Sequence, residues 1–316
     1  MNLAPLLLLS LAALLPSPAH AERFAFALIG DIPYTHFERQ ILPDLLDEIG
    51  REDLAFVTHD GDIKDGSSHC SDAVFTDIHR VFQASRHPLV FVPGDNEWTD
   101  CHRASNGGYD PLERLDRLRQ IFFAGDGALG MRPLQLERQS AGKDFAEYRE
   151  NVRWQIGRVL FVGLNVPGSN NNWGPARTPS PEHVARGSAN HAWLAGSFAR
   201  ARAQKLAGIL IVVQANPDLE SAKRRGDRPN GYQAFLDQLR SETQAFAGQV
   251  VLVHGDTHFH RIDRPLKDAQ TGVPLANFTR VETYGSPFIG WVKATVDDTD
   301  PQVFRFEARP YSAAGK

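Results

Sequence analysis

"PLVFVPGDNEWTDC", residues 88–101, runs a short apolar stretch into Pro93 and Gly94. It then sets an acid, an amide and a second acid in a row: Asp95, Asn96 and Glu97. Gly, Asp and Asn are ordinary turn residues, so a surface turn is one reading and a wall of a metal site is the other. The neighbouring segments bear on the choice. "RFAFALIGD" (23–31) reads as a strand ending at Asp31, and "LAFVTHDGD" (54–62) as a strand ending near Asp62. Between them "FERQILPDLLDEIGRE" has helical spacing, with Pro43 marking its first turn or a kink. "SDAVFTDIHRVFQAS" follows as a helix with Ser71 as its N-cap. Apolar strands alternating with helices predict βαβ units and a parallel sheet.

Further along, "PLERLDRLRQIFF" reads as a helix inside a less regular excursion, and "RWQIGRVLFVGLNV" as a hairpin turning at Gly157. "PEHVARGSANHAWLAGSFARARAQ" and "GYQAFLDQLRSETQAFA" are helices, and "GILIVVQANP" and "GQVVLVHGDTHFHR" contain strands. "ANFTRVETYG", "WVKATVD" and "VFRFEARP" read as antiparallel strands. Five strands thus end in Asp31, Asp62, Asp95, Gln214 and the run His254-Gly-Asp256-Thr-His258. Ligands of open α/β sheets bind beyond the carboxyl ends of the strands. Carboxylates converging there repel one another, and bound cations remove that cost. For one Asp-Gly pair the turn is favoured; for the set, a metal site is the better account.

The chain has 316 residues and a formal net charge of -4, which argues against a nucleic-acid binder working by broad phosphate neutralisation. "MNLAPLLLLSLAALLPSPAHA" (1–21) reads as a signal peptide with Ala19-His20-Ala21 as its cleavage site. Its apolar run is short for a bilayer span, and no later segment is apolar for long enough to be one. The expectation is a periplasmic or secreted protein whose residues 22–316 form one domain. Cys70 and Cys101 are the two cysteines, and an even count in an exported chain predicts a disulfide. It would tie the second and third acidic loops together.

The blocks, in this order, resemble the calcineurin-like metallophosphoesterase family. "GDIPY" resembles its Gly-Asp-x-His, "GDIKDG" its Gly-Asp-x-x-Asp-Gly, and "GDNE" its Gly-Asn-His-Glu. "VVQANP" stands where a strand ends in His, and "GDTH" resembles Gly-His-x-His. The resemblance implies a four-layer α-β-β-α sandwich of two mixed sheets with flanking helices. It also implies two divalent metal ions and hydrolysis of a small phosphorylated substrate, a mono- or diester. By position, Asp31 would bind the first metal, Asp62 would bridge, and Asp95, Gln214 and Asp256 would hold the second. His258 would complete the first. Asp31, Asp62 and His258 match the family pattern. Pro33, Asn96, Gln214 and Asp256 stand where the family has His, and Asp95 where it has Asn.

Trading imidazole for oxygen favours Mn²⁺, Mg²⁺ or Ca²⁺ over Zn²⁺ or Fe. Asn96 can hydrogen-bond a phosphoryl oxygen but cannot act as a general acid. His254 or His260 is the candidate replacement, each two residues from a block residue and so on the same face of an extended chain. His59 reads as structural. Lys64 and Arg103 are phosphate-binding candidates with a solvated surface role as the default, and Ser169–Asn172 lines the cleft or forms a turn. Two functions remain open: an exported metal-dependent phosphoesterase, and a non-catalytic member that binds metal or a phosphorylated ligand.

Overall fold

The computed structural model describes residues 22–220 and 229–312; the leader expected at residues 1–21 lies outside them. A five-stranded sheet has the order β12-β11-β1-β2-β3. It comprises β1 (Arg23–Ile29), β2 (Val57–His59), β3 (Leu89–Phe91), β11 (Gly290–Asp297) and β12 (Phe304–Pro310). A seven-stranded sheet has the order β4-β5-β6-β7-β8-β10-β9. Its strands are β4 (Glu137–Arg138), β5 (Val152–Ile156), β6 (Val159–Gly163), β7 (Gly208–Val212), β8 (Gln249–His254), β9 (Arg261–Asp263) and β10 (Phe278–Glu282). Helices α1 (His36–Gly50), α2 (Asp72–Gln83) and α3 (Pro111–Phe122) follow strands of the first sheet or precede the second. Helices α5 (Pro181–Ala203) and α6 (Gln233–Ala245) belong to the second, after the short element α4 (Gly168–Asn171).

Period-two alternation of apolar residues builds four layers. On β1, Phe26 and Leu28 pack between the sheets with Phe161, Trp154, Leu210 and Val253. Ala27 and Ile29 pack on the other face against Leu42, Leu45, Phe75 and Leu118 of the helices. Leu160 and Val162 likewise face Leu194, Phe198, Leu236 and Leu239. Strands covered on both faces read as unbroken apolar runs, which is why they stood out in the sequence. The architecture is the expected two-sheet sandwich with flanking helices.

Three local readings meet the structure differently. Ser71 caps α2, its Oγ accepting from Val74 N at 3.4 Å, and Gly157 turns the β5–β6 hairpin at φ 54°. Pro43 sits inside α1, not in its first turn, which is fixed by a capping box between Thr35 and Glu38. Among the last strands, β11 and β12 are antiparallel, but β10 runs parallel to β8, with Phe278 opposite Val250. The crossover between β8 and β10 is long enough for a parallel return and carries the antiparallel edge strand β9.

Candidate metal centre

The loops after β1, β2, β3, β7 and β8 meet at one end of the sandwich. Four of the six residues expected to hold metal have left-handed backbones: Asp31 (φ 48°), Asp62 (59°), Asp256 (75°) and His258 (59°). Each such residue costs about 1–3 kcal/mol and persists only where its surroundings enforce it. Glycines make the close approaches possible. A Cβ on Gly94 would stand 2.1 Å from Asp62 Oδ1, and one on Gly255 would stand 2.0 Å from Asp31 Oδ2.

Asp62 is the hub. Its Oδ2 accepts from the Tyr34 hydroxyl (2.9 Å), Asn96 Nδ2 (2.9 Å) and Gln214 Nε2 (3.2 Å), and its Oδ1 accepts from Asn96 N (3.1 Å). Asp31 accepts from Asp256 N at 3.0 and 3.2 Å. Asp95 Oδ2 accepts from Ser169 Oγ (2.8 Å), Gln214 Oε1 from Gly168 N (2.6 Å), and Asp256 Oδ2 from Asn216 N (3.0 Å). Burial drives the Asp31 and Asp62 carboxyls well above the ordinary range. The neighbouring acids add to it: Asp60 and Asp256 for Asp31, Asp95 and Glu97 for Asp62. Asp95 is pushed up to about 8 by burial, then by Asp100 and Asp256.

His258 donates Nδ1–H to Ser286 O at 2.6 Å, the only role open to a nitrogen facing a carbonyl, so in the neutral ring Nε2 keeps its lone pair. That nitrogen faces Asp31 Oδ1 at 3.6 Å. The Tyr34 hydroxyl lies among these groups, 3.2 Å from His258 Nε2 and 3.4 Å from Asp31 Oδ1, and accepts from Asn96 Nδ2 at 3.1 Å. With the phenol in that space, no three His, Cys, Asp or Glu side chains among the described residues stand as a ready ligand set. The donors are nonetheless oxygen-rich, buried and short of positive charge, and they fit a hard divalent cation.

Two acids support the loops. Glu97 accepts from the backbone N–H of Ile63 and of Gly94, the latter at 2.8 Å, joining the second and third loops. Asp60, beside Asp31, accepts from Thr283 Oγ1 at 2.9 Å, and its Oδ1 has no partner. Lys64 is buried, not solvated: its Nζ donates to Asp65 O and Asn96 O, both at 2.8 Å. The Cys70–Cys101 disulfide is formed and packs against the same Asn96 carbonyl. His59 is structural: Nε2 donates to Ile32 O (2.9 Å) and Nδ1 accepts from Gly61 N (3.2 Å).

The structure corrects the reading of His254 as proton donor. Its ring is fully buried away from the cluster, Nδ1 pairs with Gly255 O at 3.0 Å, and Nε2 meets no partner. Burial pulls it down to about 3, so it has no proton to give near neutral pH. The chain turns at Asp256 and His258, so extended-strand alternation does not hold past His254. His260 is held by Glu282 O at 2.7 Å and stacks on Tyr284.

Beyond Asp95, α4 forms a wall. Ser169, Asn170, Asn171 and Asn172 have φ of 49°, 55°, 56° and 52°, a left-handed turn without glycine. Such a backbone costs most L-residues roughly 1–2 kcal/mol apiece, and less for Asn, whose short polar side chain bonds locally. Buried Arg186 holds it, donating to Asn171 Oδ1 (2.6 Å) and Asn171 O (2.9 Å). Asn170 adds bonds to Pro229 O and from Gly231 N.

No protein-family model matches the sequence, and no curated protein matches it by sequence. Solved structures do match. A dimetal phosphatase from Danio rerio superposes with a TM-score of 0.52 at 16% identity, over 91% of this chain and 96% of that one. PhoD superposes with a TM-score of 0.54 at 13% identity, over 93% of this chain and 70% of that one. The chain has the calcineurin-like metallophosphoesterase fold. At these identities the likeness establishes the fold, and the chemistry rests on the site.

Proposed function

We propose that the chain is an exported metal-dependent phosphoesterase acting on a small phosphate mono- or diester. The observation that carries this reading is the convergence of Asp31, Asp62, Asp95 and Asp256 with His258, whose Nε2 lies 3.6 Å from Asp31 Oδ1, in one buried cluster. A cation would offset the charge gathered there. Asp31, Asp62 and His258 would hold one ion, and Asp62, Asp95, Gln214 and Asp256 a second, with Mn²⁺, Mg²⁺ or Ca²⁺ favoured by the oxygen donors. Bound divalent ions supply an activated water and neutralise charge on the phosphoryl group. The side chains do the rest. Asn96, held by Lys64 on its carbonyl, spends its amide N–H groups on Asp62 and the Tyr34 hydroxyl and so would orient the phosphoryl group only by releasing one of them. The Tyr34 hydroxyl is a hydrogen-bond donor directed into the cluster.

The fold, and its likeness to the dimetal phosphatase from Danio rerio, support the reading. A second reading, a member that binds without turnover, is favoured by the phenol that fills the space among Asp31, Asp62 and His258. The test is metal content by elemental analysis, together with hydrolysis of an aryl phosphate and a bis-aryl phosphate under each metal. Metal with turnover supports the first reading; metal or a phosphorylated ligand bound without turnover supports the second; and no bound metal together with no bound aryl phosphate overturns both. Export is tested by mass spectrometry: the mature chain should begin at Glu22, and a chain retaining Met1 overturns it.

A further inference from the structure

The left-handed turn Ser169–Asn172 is built from three residues that suit it and one that does not. Asn tolerates this backbone better than other L-residues. The three Asn side chains also bond locally, Asn170 Nδ2 to Pro229 O (3.2 Å), Asn171 Nδ2 to Gly231 O (2.9 Å) and Asn172 Nδ2 to Glu182 Oε2 (2.7 Å). Ser169 heads the turn at φ 49°, where Gly or Asn would sit at lower cost. Its contacts supply what the backbone does not.

Residues 168 and 169 touch the three residues expected to hold the second ion and not the first: Asp95, Gln214 and Asp256. Gly168 N donates to Gln214 Oε1 at 2.6 Å. A Cβ on Gly168 would stand 2.6 Å from Asp95 Oδ2 and 3.0 Å from Asp256 Oδ1, so glycine lets the chain lie close to both carboxylates. Ser169 Oγ lies 2.8 Å from Asp95 Oδ2 and 2.7 Å from Asp100 Oδ1. The hydroxyl has one hydrogen for these two acceptors. Asp100 has Arg103 Nη2 on its other oxygen at 2.9 Å. Ser169 is the side-chain donor to the buried Asp95 carboxylate among the described residues. Partners that orient a ligand side chain change metal affinity by about 10–100-fold when they are lost.

We infer that Ser169 is a positioning residue of the second-ion site, where its hydroxyl holds the Asp95 carboxylate in the orientation that binds the ion. Neither Gly nor Asn supplies that hydroxyl, and the strained position is occupied by Ser on its account. The inference rests on the two-ion reading of the cluster and not on turnover.

The test is titration calorimetry with Mn²⁺ on the mature, metal-stripped protein, with thermal unfolding in chelator alongside. Ser169→Gly relieves the backbone as it removes the hydroxyl, so its Tm should stay within about 5 °C of the wild type. One ion should nonetheless bind at least about tenfold more weakly, and it should be the ion that Asp95→Ala also weakens. Glu182→Ala gives the opposite pattern. It takes a partner from Asn172 and from Arg186 but leaves the contacts of Ser169 in place, so Tm should fall while both ions stay within about threefold of the wild type.

If ions bind and Ser169→Gly matches the wild type, or weakens the ion that Asp95→Ala spares, the inference is wrong and the metal centre stands. A larger fall in Tm for Ser169→Gly, or a weakening by Glu182→Ala equal to that of Ser169→Gly, makes the residue a structural pin of the turn and also overturns it. A wild type that binds no Mn²⁺ removes the metal centre and the inference with it. Hydrolysis enters none of these measurements, so a chain that binds both ions without turnover leaves the inference standing while the phosphoesterase reading falls.

Discussion

Replacing Glu97 with Gln tests what holds the opening motif in shape. The carboxylate accepts two backbone N–H bonds, from Ile63 in the second loop and Gly94 in the third, and the residue is fully buried. Glutamine is nearly isosteric but has one acceptor oxygen, so its amide N–H₂ must oppose one of those two donors. The variant loses one charge-assisted bond, about 1.5–3 kcal/mol, and leaves a buried N–H unpaired, about 1–3 kcal/mol. Removing the charge also relieves repulsion with Asp62, but it takes a counter-charge from Lys64; these two oppose each other, so the hydrogen bonds decide. The net is about 3–5 kcal/mol, a large part of the stability of an ordinary domain. At roughly 2–4 °C per kcal/mol for a large domain, Tm should fall by about 6–20 °C. The assay is thermal unfolding by circular dichroism, wild type against Glu97→Gln, with chelator in both so that metal binding does not contribute. A fall of less than about 2 °C would refute the reasoning and return "GDNE" to an ordinary turn.

Asp62→Asn should remove most bound metal and most activity while the circular dichroism spectrum is retained, because one substitution weakens both ions; Asp95→Asn should shift the metal profile toward Zn²⁺. Elemental analysis reads both, and an unchanged profile in Asp95→Asn would place that residue outside the ligand set. Reducing the Cys70–Cys101 bond, or replacing both cysteines with Ser, should cost roughly 3–4 kcal/mol in the chain-entropy model for a sequence separation of 31, read by urea unfolding with and without reductant. His59 is held down to about 4, chiefly by burial, so the unfolded chain binds its proton first as pH falls. Its contribution is intact above about pH 6.5 and is lost toward pH 4, amounting to about 3 kcal/mol. His59→Phe should flatten that part of the stability–pH curve, and an unchanged curve would show that His59 does not drive it.

The two-sheet sandwich was legible because its central strands are buried on both faces and therefore spell apolar runs that stop at an acid. The meeting of the acids was legible where they stand at strand ends, at Asp31, Asp62 and Asp95. The site was illegible where the chain leaves regular backbone. Alternation placed His254 beside Asp256, but the left-handed residues 256 and 258 break the alternation and send His254 into the core. Asp60 had a readable signal, lying two residues before Asp62 at the end of β2, but the Gly-Asp block drew attention to one acid only. The left-handed turn at Ser169–Asn172 had a local cue in Gly168 and three consecutive Asn, which tolerate that backbone best after Gly, but the cue does not say what holds the turn in place. What sustains it is Arg186, 15 residues further along the chain than Asn171 and on another element.

Tyr34 shows most clearly what the block comparison hid. With Pro33 in the histidine position the first block looked incomplete, yet the next residue places a hydroxyl between Asp31, Asp62 and His258. That hydroxyl has one hydrogen and faces three acceptors: Asp31 Oδ1, Asp62 Oδ2 and His258 Nε2. It can satisfy one of them. The two nearby side-chain cations do not make up the difference, because Lys64 is spent on backbone carbonyls and Arg103 on Asp100. Burial and the adjacent Asp62 and Asp31 carboxylates push the phenol above its ordinary range, so Tyr34 adds no negative charge of its own near neutral pH. The polypeptide therefore gathers buried carboxylates without gathering, among the described residues, a matching positive charge. Protons on the carboxylates can close that gap in part, but they do so only by discharging the residues whose placement costs left-handed backbone at Asp31 and Asp62. A divalent ion closes it while keeping those charges, and that is the physical reason to weigh the oxygen-rich cluster as a metal centre and not as a hydrogen-bonded core.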